Sequence, residues 1–278
     1  MPTREQTVDD AIRVFRTGSY PDGLSLGSAW LGIYQTLLWY EPVNWLGFGS
    51  LPHIIDADKL RPGSNKNKQG WRLPNAWQQR AQAVGKSLAG QLGCSIAELP
   101  EITDRLMRHP DYEGMQRQNS LGIAFVGLIG HVLKEYGSSS VAYRMECEAS
   151  RVFPGISVPG RSGTPRIDLL ADRDGVPCAV ISAKWSVRHD RLSDIANECP
   201  VYKAAYERIH RQTRRSRLLY YVVTNEYDPS RLNKMLDDSC VDGVVHVHKS
   251  AVVDVCALDG RLTRLIDLAD FVESTTAW

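Results

Sequence analysis

Two short runs of β-forming residues, 166–171 and 177–185, flank the turn sequence Asp172-Arg173-Asp174-Gly175. That order commits the middle of the chain to a β-hairpin. Side chains alternate along a strand, so Ser182, Lys184 and Ser186 share one face of the second run, and Ile181, Ala183 and Trp185 share the other. The first run carries Asp168, which the hairpin brings within reach of Lys184.

An acid beside a lysine on paired strands suits phosphodiester hydrolysis. The carboxylate offers oxygen to a hard divalent cation, and Mg²⁺ keeps several waters, so a sparse ligand set is adequate. The cation offsets phosphate charge and lowers the pKa of a bound water. The lysine orients that water and faces the charge that develops. On their own, Asp168 and Lys184 read first as a solvated ion pair on a sheet surface, and the residues that follow decide between the two readings.

Four residues after Lys184 comes Arg188-His189-Asp190-Arg191, and thirteen residues separate Lys184 from Glu198. Arginine forks onto guanine O6 and N7 in the major groove, and aspartate accepts from cytosine N4. Arg188, Asp190 and Arg191 can therefore read two adjacent G·C pairs, with a two-fold related copy reading the other half of a palindrome. The same residues also suit a surface charge cluster capping the next helix. Glu198 has a second reading too. It precedes Pro200, a first-turn proline for a helix over 201–209, and an acid at a helix start favours the dipole without catalysis.

Taken together, Pro165-Arg166-Ile167-Asp168, Ser182-x-Lys184, Arg188-x-Asp190-Arg191 and Glu198 resemble the core of the PD-(D/E)xK nucleases. Within that superfamily they are similar to the CCGG-recognising branch of type II restriction endonucleases, the AgeI- and BsaWI-like group. In that branch the second acid of the motif is replaced, here by Ser182, and a carboxylate is supplied later in the chain, here by Glu198. Four matches at fixed offsets from one lysine have a joint chance on the order of 10⁻⁵. The resemblance covers roughly residues 165–206 and, more loosely, the C-terminal half.

The resemblance implies a restriction-endonuclease-like α/β (α+β) fold, a central mixed sheet flanked by helices. It implies Asp168, Ser182, Lys184 and Glu198 as catalytic residues, with Asp168 and Glu198 holding Mg²⁺. It gives Arg188, Asp190 and Arg191 to the CCGG tetranucleotide. Cleavage would fall before the first C and leave 5′ overhangs. The partners implied are double-stranded DNA, a second copy of the chain at least when bound to DNA, and a cognate DNA methyltransferase. One departure concerns the glutamate that many such nucleases carry on the first core helix. Where it is expected, after Phe125, this chain has Val126. Glu146 and Glu148, on the next strand, are substitutes to consider.

The chain of 278 residues carries a net charge of +1, so no global basic signature marks a nucleic-acid binder. Positive charge is clustered instead: Arg211, Arg214, Arg215 and Arg217 in one stretch, Lys66, Lys68 and Arg72 in another. Either cluster serves as a phosphate contact or as a solvated helix end or loop. Cys94, Cys147, Cys178, Cys199, Cys240 and Cys256 are scattered with no C-x-x-C pair, so they read as reduced thiols of a cytoplasmic protein, and the resemblance implies a bacterial one. His246-Val247-His248 has no partner at ligand spacing and reads as structural. The apolar stretch over 25–40 is too short to span a membrane and reads as a buried helix.

Residues 1–115 form a mainly helical N-terminal subdomain in this reading, with helices starting near Thr7 and stopping at Gly18, and over 75–92 and 96–109. A polar loop at 62–70 separates the first of these from the others. Five of the seven tryptophans fall in this region, which argues for a packed core there. Residues 116–278 form the catalytic core: a helix over 121–136, a strand over 141–153 that alternates Val141, Tyr143, Met145 and Cys147 with Arg144, Glu146 and Glu148, the hairpin, the helix after Pro200, a buried strand over 218–224, a helix over 229–236 and a last strand over 243–247. Two other functions fit the same core, a structure-specific or repair nuclease and an inactive DNA-binding module. The first reads shape and phosphate and has no need of Arg188, Asp190 and Arg191. The second has no need of Asp168, Lys184 and Glu198.

Overall fold

The computed structural model describes residues 3–17, 25–38, 93–95, 97–98, 120–160, 163, 165–185, 187, 189–210, 217–226, 229–250, 252 and 261–278. The chain divides into two compact units. One is Met1–Leu128 with Ser250–Ala257, and the other is Ile129–Lys249 with Leu258–Trp278.

In the first unit, α1 (Arg4–Thr17) and α2 (Ala29–Leu38) are helical, α2 following a 3-10 turn at Leu26–Ser28. The first helix starts three residues before the expected Thr7. Thr3 and Gln6 form reciprocal bonds, Gln6 N donating to Thr3 Oγ1 and Thr3 N to Gln6 Oε1. That is a capping box one turn upstream of the expected start. α2 buries Ala29, Ile33, Tyr34 and Leu37, as its apolar run predicts. Among the described residues no helix is long and apolar enough to cross a membrane. The expected helices over 75–92 and 96–109 and the loop 62–70 lie outside the described residues, apart from Ala97 and Glu98.

The second unit is built on a six-stranded mixed sheet in sequential order: β1 (Ala142–Glu148), β2 (Arg166–Arg173), β3 (Val176–Lys184), β4 (Leu219–Thr224), β5 (Gly243–His246) and β6 (Leu265–Asp267). The first three strands are antiparallel neighbours and the last three continue from β3 in parallel. Helices cover both faces, so the inner strands read as near-continuous apolar runs rather than alternating ones. Leu169, Ile181 and Tyr221 align across three strands on one face. There α3 (Ser120–Tyr136) brings Gly130 against Met145 and Leu169, and α4 (Leu268–Ser274) sets Phe271 edge-on against Tyr221. On the other face Leu170, Val180 and Tyr220 align, under α5 (His189–His210). A short helix at Ala149–Val152 follows β1, so the expected strand to Phe153 ends five residues early. The helix α6 (Pro229–Asp237) precedes β5, and β6 is a strand the sequence did not announce.

The hairpin is tighter than expected. β2 runs through Asp172 and Arg173, and only Asp174 and Gly175 form the turn, with φ of 53° and 74°. Two successive positive φ values make the primed turn whose twist matches paired strands. Pro177 has no N–H for the ladder. A register shift absorbs it: Ala171 pairs with Ala179 and Asp172 with Pro177, leaving Cys178 as the extra residue of a bulge. The Cys178 thiol donates to the Ala171 carbonyl at 3.2 Å. Burial pushes that thiol up to about 11.

Two sequence expectations are corrected here. Pro200 is not a first-turn residue, because α5 begins eleven residues earlier and Pro200 lies inside it. Ile195, Glu198, Cys199, Tyr202, Ala205 and Tyr206 form one buried stripe, and Pro200 and Ala196 are exposed. The carbonyl that loses its partner to proline is therefore on the solvent side, where water satisfies it. The cysteines are not all reduced: Cys199 and Cys240 are joined in a disulfide that fastens α5 to the turn before β5, with Cα atoms 6.1 Å apart and a sequence separation of 41. Cys94, Cys147 and Cys178 are free thiols, and Cys256 lies outside the described residues.

Candidate active site

Asp168 is the third residue of β2 and Lys184 ends β3. The antiparallel register places the two side chains together, and Lys184 Nζ forms an ion pair with Asp168 Oδ2. The same oxygen accepts from Ala183 N at 3.0 Å and from the Ser182 hydroxyl at 3.4 Å. All three donors fall on Oδ2, and Oδ1 takes no hydrogen bond among the described residues. The side chains of Asp168 and Lys184 are 15% and 21% exposed, so the pair is neither a solvated surface pair nor sealed from water. Ser182 is buried.

Glu198 comes from α5 and is 6% exposed. Its place over the sheet follows from helix geometry. Tyr202, four residues on, shares its helix face and stacks on Tyr220 of β4, with ring centroids 6.5 Å apart. Phe153 also stacks on Tyr202, at 5.6 Å. Tyr220 pairs with Val180 and shares a face with Ser182. Burial holds its hydroxyl well above the ordinary phenol range, the carboxylates of Glu198 and Asp168 push it higher, and the Ser182 hydroxyl pulls it down. Glu198 and Asp168 thus act on one buried phenol from the helix and sheet sides. Tyr220 was missed in the sequence because an apolar strand such as Leu219–Thr224 hides its one polar atom.

The donor set suits a hard cation. Among the described residues Asp168 keeps one oxygen clear of hydrogen bonds and Glu198 adds a second, buried carboxylate, and carboxylate oxygen is the donor such a cation prefers. Among the described residues no three His, Cys, Asp or Glu side chains converge as a metal cluster. Glu146 lies between the pairs Met145–Leu169 and Cys147–Ile167, so it is the cross-strand counterpart of Asp168. Its φ of 53° breaks the ladder there. Glu148 pairs instead with Arg151 at 2.9 Å. Val126 is buried in the first unit.

The segment after Lys184 leads into α5. Asp190 and Arg191 fall in its first turn, and Arg191 Nη1 pairs with Asp194 Oδ2 at 3.1 Å. Arg188 lies outside the described residues. Glu226, which sequence reasoning did not single out, sits 5% exposed just past β4 and accepts from Val187 N at 2.9 Å and Arg231 Nη1 at 3.2 Å. The signal available was an acid directly after a buried parallel strand, the end of the sheet where sites gather in such folds. Of the basic clusters, Arg217 pairs with Asp242 at 3.2 Å, and 211–216 and 66–72 lie outside the described residues. His246 is structural: His248 N donates to its Nδ1 at 3.0 Å, which leaves Nε2 to donate to the Glu226 carbonyl at 3.1 Å.

No family model matches the chain, and no curated protein does. Among solved structures, one similar chain is metal-depleted Ecl18kI in complex with uncleaved, modified DNA, 12% identical, aligned over 100% of this chain and 85% of that one, with a TM-score of 0.35. A likeness at that level carries no argument about this chain's chemistry.

Proposed function

We propose that the protein is a metal-dependent deoxyribonuclease of the type II restriction kind, cutting double-stranded DNA at a palindrome that contains CCGG. The observation that carries this reading is the half-buried Asp168–Lys184 pair at the end of β3, with Glu198 carried over the same face by α5. A surface ion pair has no need of two buried donors on one carboxylate oxygen, nor of a buried second acid.

In this reading Asp168 and Glu198 would hold Mg²⁺. When bound, that ion supplies charge to the scissile phosphate and acidity to a coordinated water. Ala183 N and Ser182 fix the Asp168 carboxylate so that its open oxygen keeps one direction. Lys184 leaves Asp168 as DNA enters, orients the attacking water and meets the charge developing on the phosphate. The buried rings of Tyr202, Tyr220 and Phe153 keep the acid side dry, which strengthens those interactions. Arg188, Asp190 and Arg191, following Lys184 directly, read the C·G pairs, so recognition and chemistry share one stretch of chain. A palindrome calls for two copies on one site, and a host that survives such an enzyme calls for a methyltransferase of the same specificity.

The test is cleavage of paired duplexes, one with a CCGG-centred palindrome and one scrambled, with Mg²⁺ and with EDTA. Mg²⁺-dependent cutting of the first alone supports the reading. Equal cutting of both, or nicking only at junctions, replaces it with a structure-specific nuclease.

A further inference from the structure

We infer that Glu226 is a positioning residue that sets the specificity of cleavage, by pinning the junction between the cutting strand and the base-reading segment. The inference rests on the nuclease reading above and deepens it.

The parallel pairing of β3 with β4 ends at Lys184 and Thr224. Beyond it the two chains stay joined. Asn225 N donates to the Trp185 carbonyl at 3.1 Å. Two residues further along the chain the backbone acceptor is replaced by a side chain: Val187 N donates to Glu226 Oε2 at 2.9 Å. Val187 is fully buried, so its N–H has no recourse to water.

Glu226 is held in turn from three sides. Arg231 of α6 bonds the same carboxylate oxygen, Thr224 Oγ1 accepts from its N–H at 3.1 Å, and His246 of β5 bonds its carbonyl. A buried acid with this many constraints is a rigid peg, and the peg grips the Val187 amide, between Lys184 and the start of α5. Asp190 and Arg191 lie in the first turn of that helix. The distance from the reacting phosphate to the base-reading side chains is therefore set at Val187, and a misplacement of about 1 Å costs on the order of 10²-fold in such geometries.

The experiment compares wild type, Glu226→Ala and Glu226→Gln. For each, cleavage rates are measured on a CCGG-centred duplex and on duplexes with one base pair changed in the core. Circular dichroism and melting are recorded alongside. The expected result is a fall of ten-fold or more in the cognate-to-mismatched ratio for Glu226→Ala, with cutting of mismatched sites retained. Glu226→Gln, whose amide oxygen still accepts from Val187 N, recovers most of the ratio. A Glu226→Ala protein that discriminates as wild type does overturns the inference and leaves the nuclease reading intact. So does a pair of variants that lose rate on all duplexes alike, in step with their melting temperatures. Wild type without preference among the duplexes overturns both.

Discussion

Replacing Asp168 by Asn separates the energetic role of the site from its chemical one. Asn is isosteric and keeps an oxygen for Ala183 N and Ser182, but it removes the charge that faces Lys184. A hydrogen bond to a charged group contributes about 1.5–3 kcal/mol. The pair is 15% and 21% exposed, so solvent takes part of that, and the expected loss is about 1–2 kcal/mol. For a chain of this size that lowers Tm by about 2–6 °C. Asp168→Ala also strands the Ala183 N–H and falls further, by about another 1–3 kcal/mol. Cleavage in either variant falls below detection, because the open oxygen that would hold the metal is gone. Differential scanning fluorimetry and a plasmid-cutting assay read the two effects on one preparation. An Asn variant that melts at or above wild type refutes the energetic half of the argument, and one that cuts at the wild-type rate refutes the chemical half.

Lys184→Ala loses cleavage and keeps preference for its site in a binding titration, whereas Arg188→Ala loses about 1–3 kcal/mol of base discrimination; equal behaviour of the two refutes the division of labour. Removing the Cys199–Cys240 bridge, which closes a loop of 41 residues, lowers stability by up to about 4 kcal/mol, and denatured unreduced protein gains two titratable thiols on reduction; no gain in thiols contradicts the bridge. Gly243→Ala sets a Cβ 2.5 Å from Ile266 Cδ1 inside the parallel half of the sheet and costs about 1–3 kcal/mol, read by urea denaturation; an unchanged midpoint means β5 and β6 are packed less closely than described. The Cys178 thiol, raised by burial, contributes stability that is present below the ordinary thiol pKa and lost as pH rises toward 11; at pH 8 iodoacetamide labels Cys94 well before Cys178 by peptide mass spectrometry, and the reverse order contradicts that burial.

What was legible in the sequence was local. The hairpin declared itself through Asp174-Gly175 and two apolar runs, and the Asp168–Lys184 pair followed from strand alternation and turn length. Helix 120–136 and the buried strand 219–224 were found within a residue or two for the same reason. What stayed hidden was decided by packing. Pro200 looked like a helix start, but the stripe from Ile195 to Tyr206 buries enough to carry a helix through a proline whose lost bond faces water. Cys199 and Cys240 meet only because α5 lies across the parallel strands. Tyr220 and Glu226 matter because β4 is laid beside β3 in parallel, which no local pattern states. β6, at three residues, is below the length at which periodicity can speak. The start of α1 was a misreading of a present signal, since Thr3 and Gln6 stand at capping-box spacing.

The central claim is that Asp168, Lys184 and Glu198 cut DNA at a site chosen by the residues that follow Lys184. Digestion of a sequenced phage DNA with Mg²⁺, with and without EDTA, followed by sequencing of the fragment ends, tests it most directly. The account predicts discrete fragments whose 5′ ends all begin within a CCGG-centred palindrome, and none in EDTA. Random ends, or uncut DNA, would contradict it.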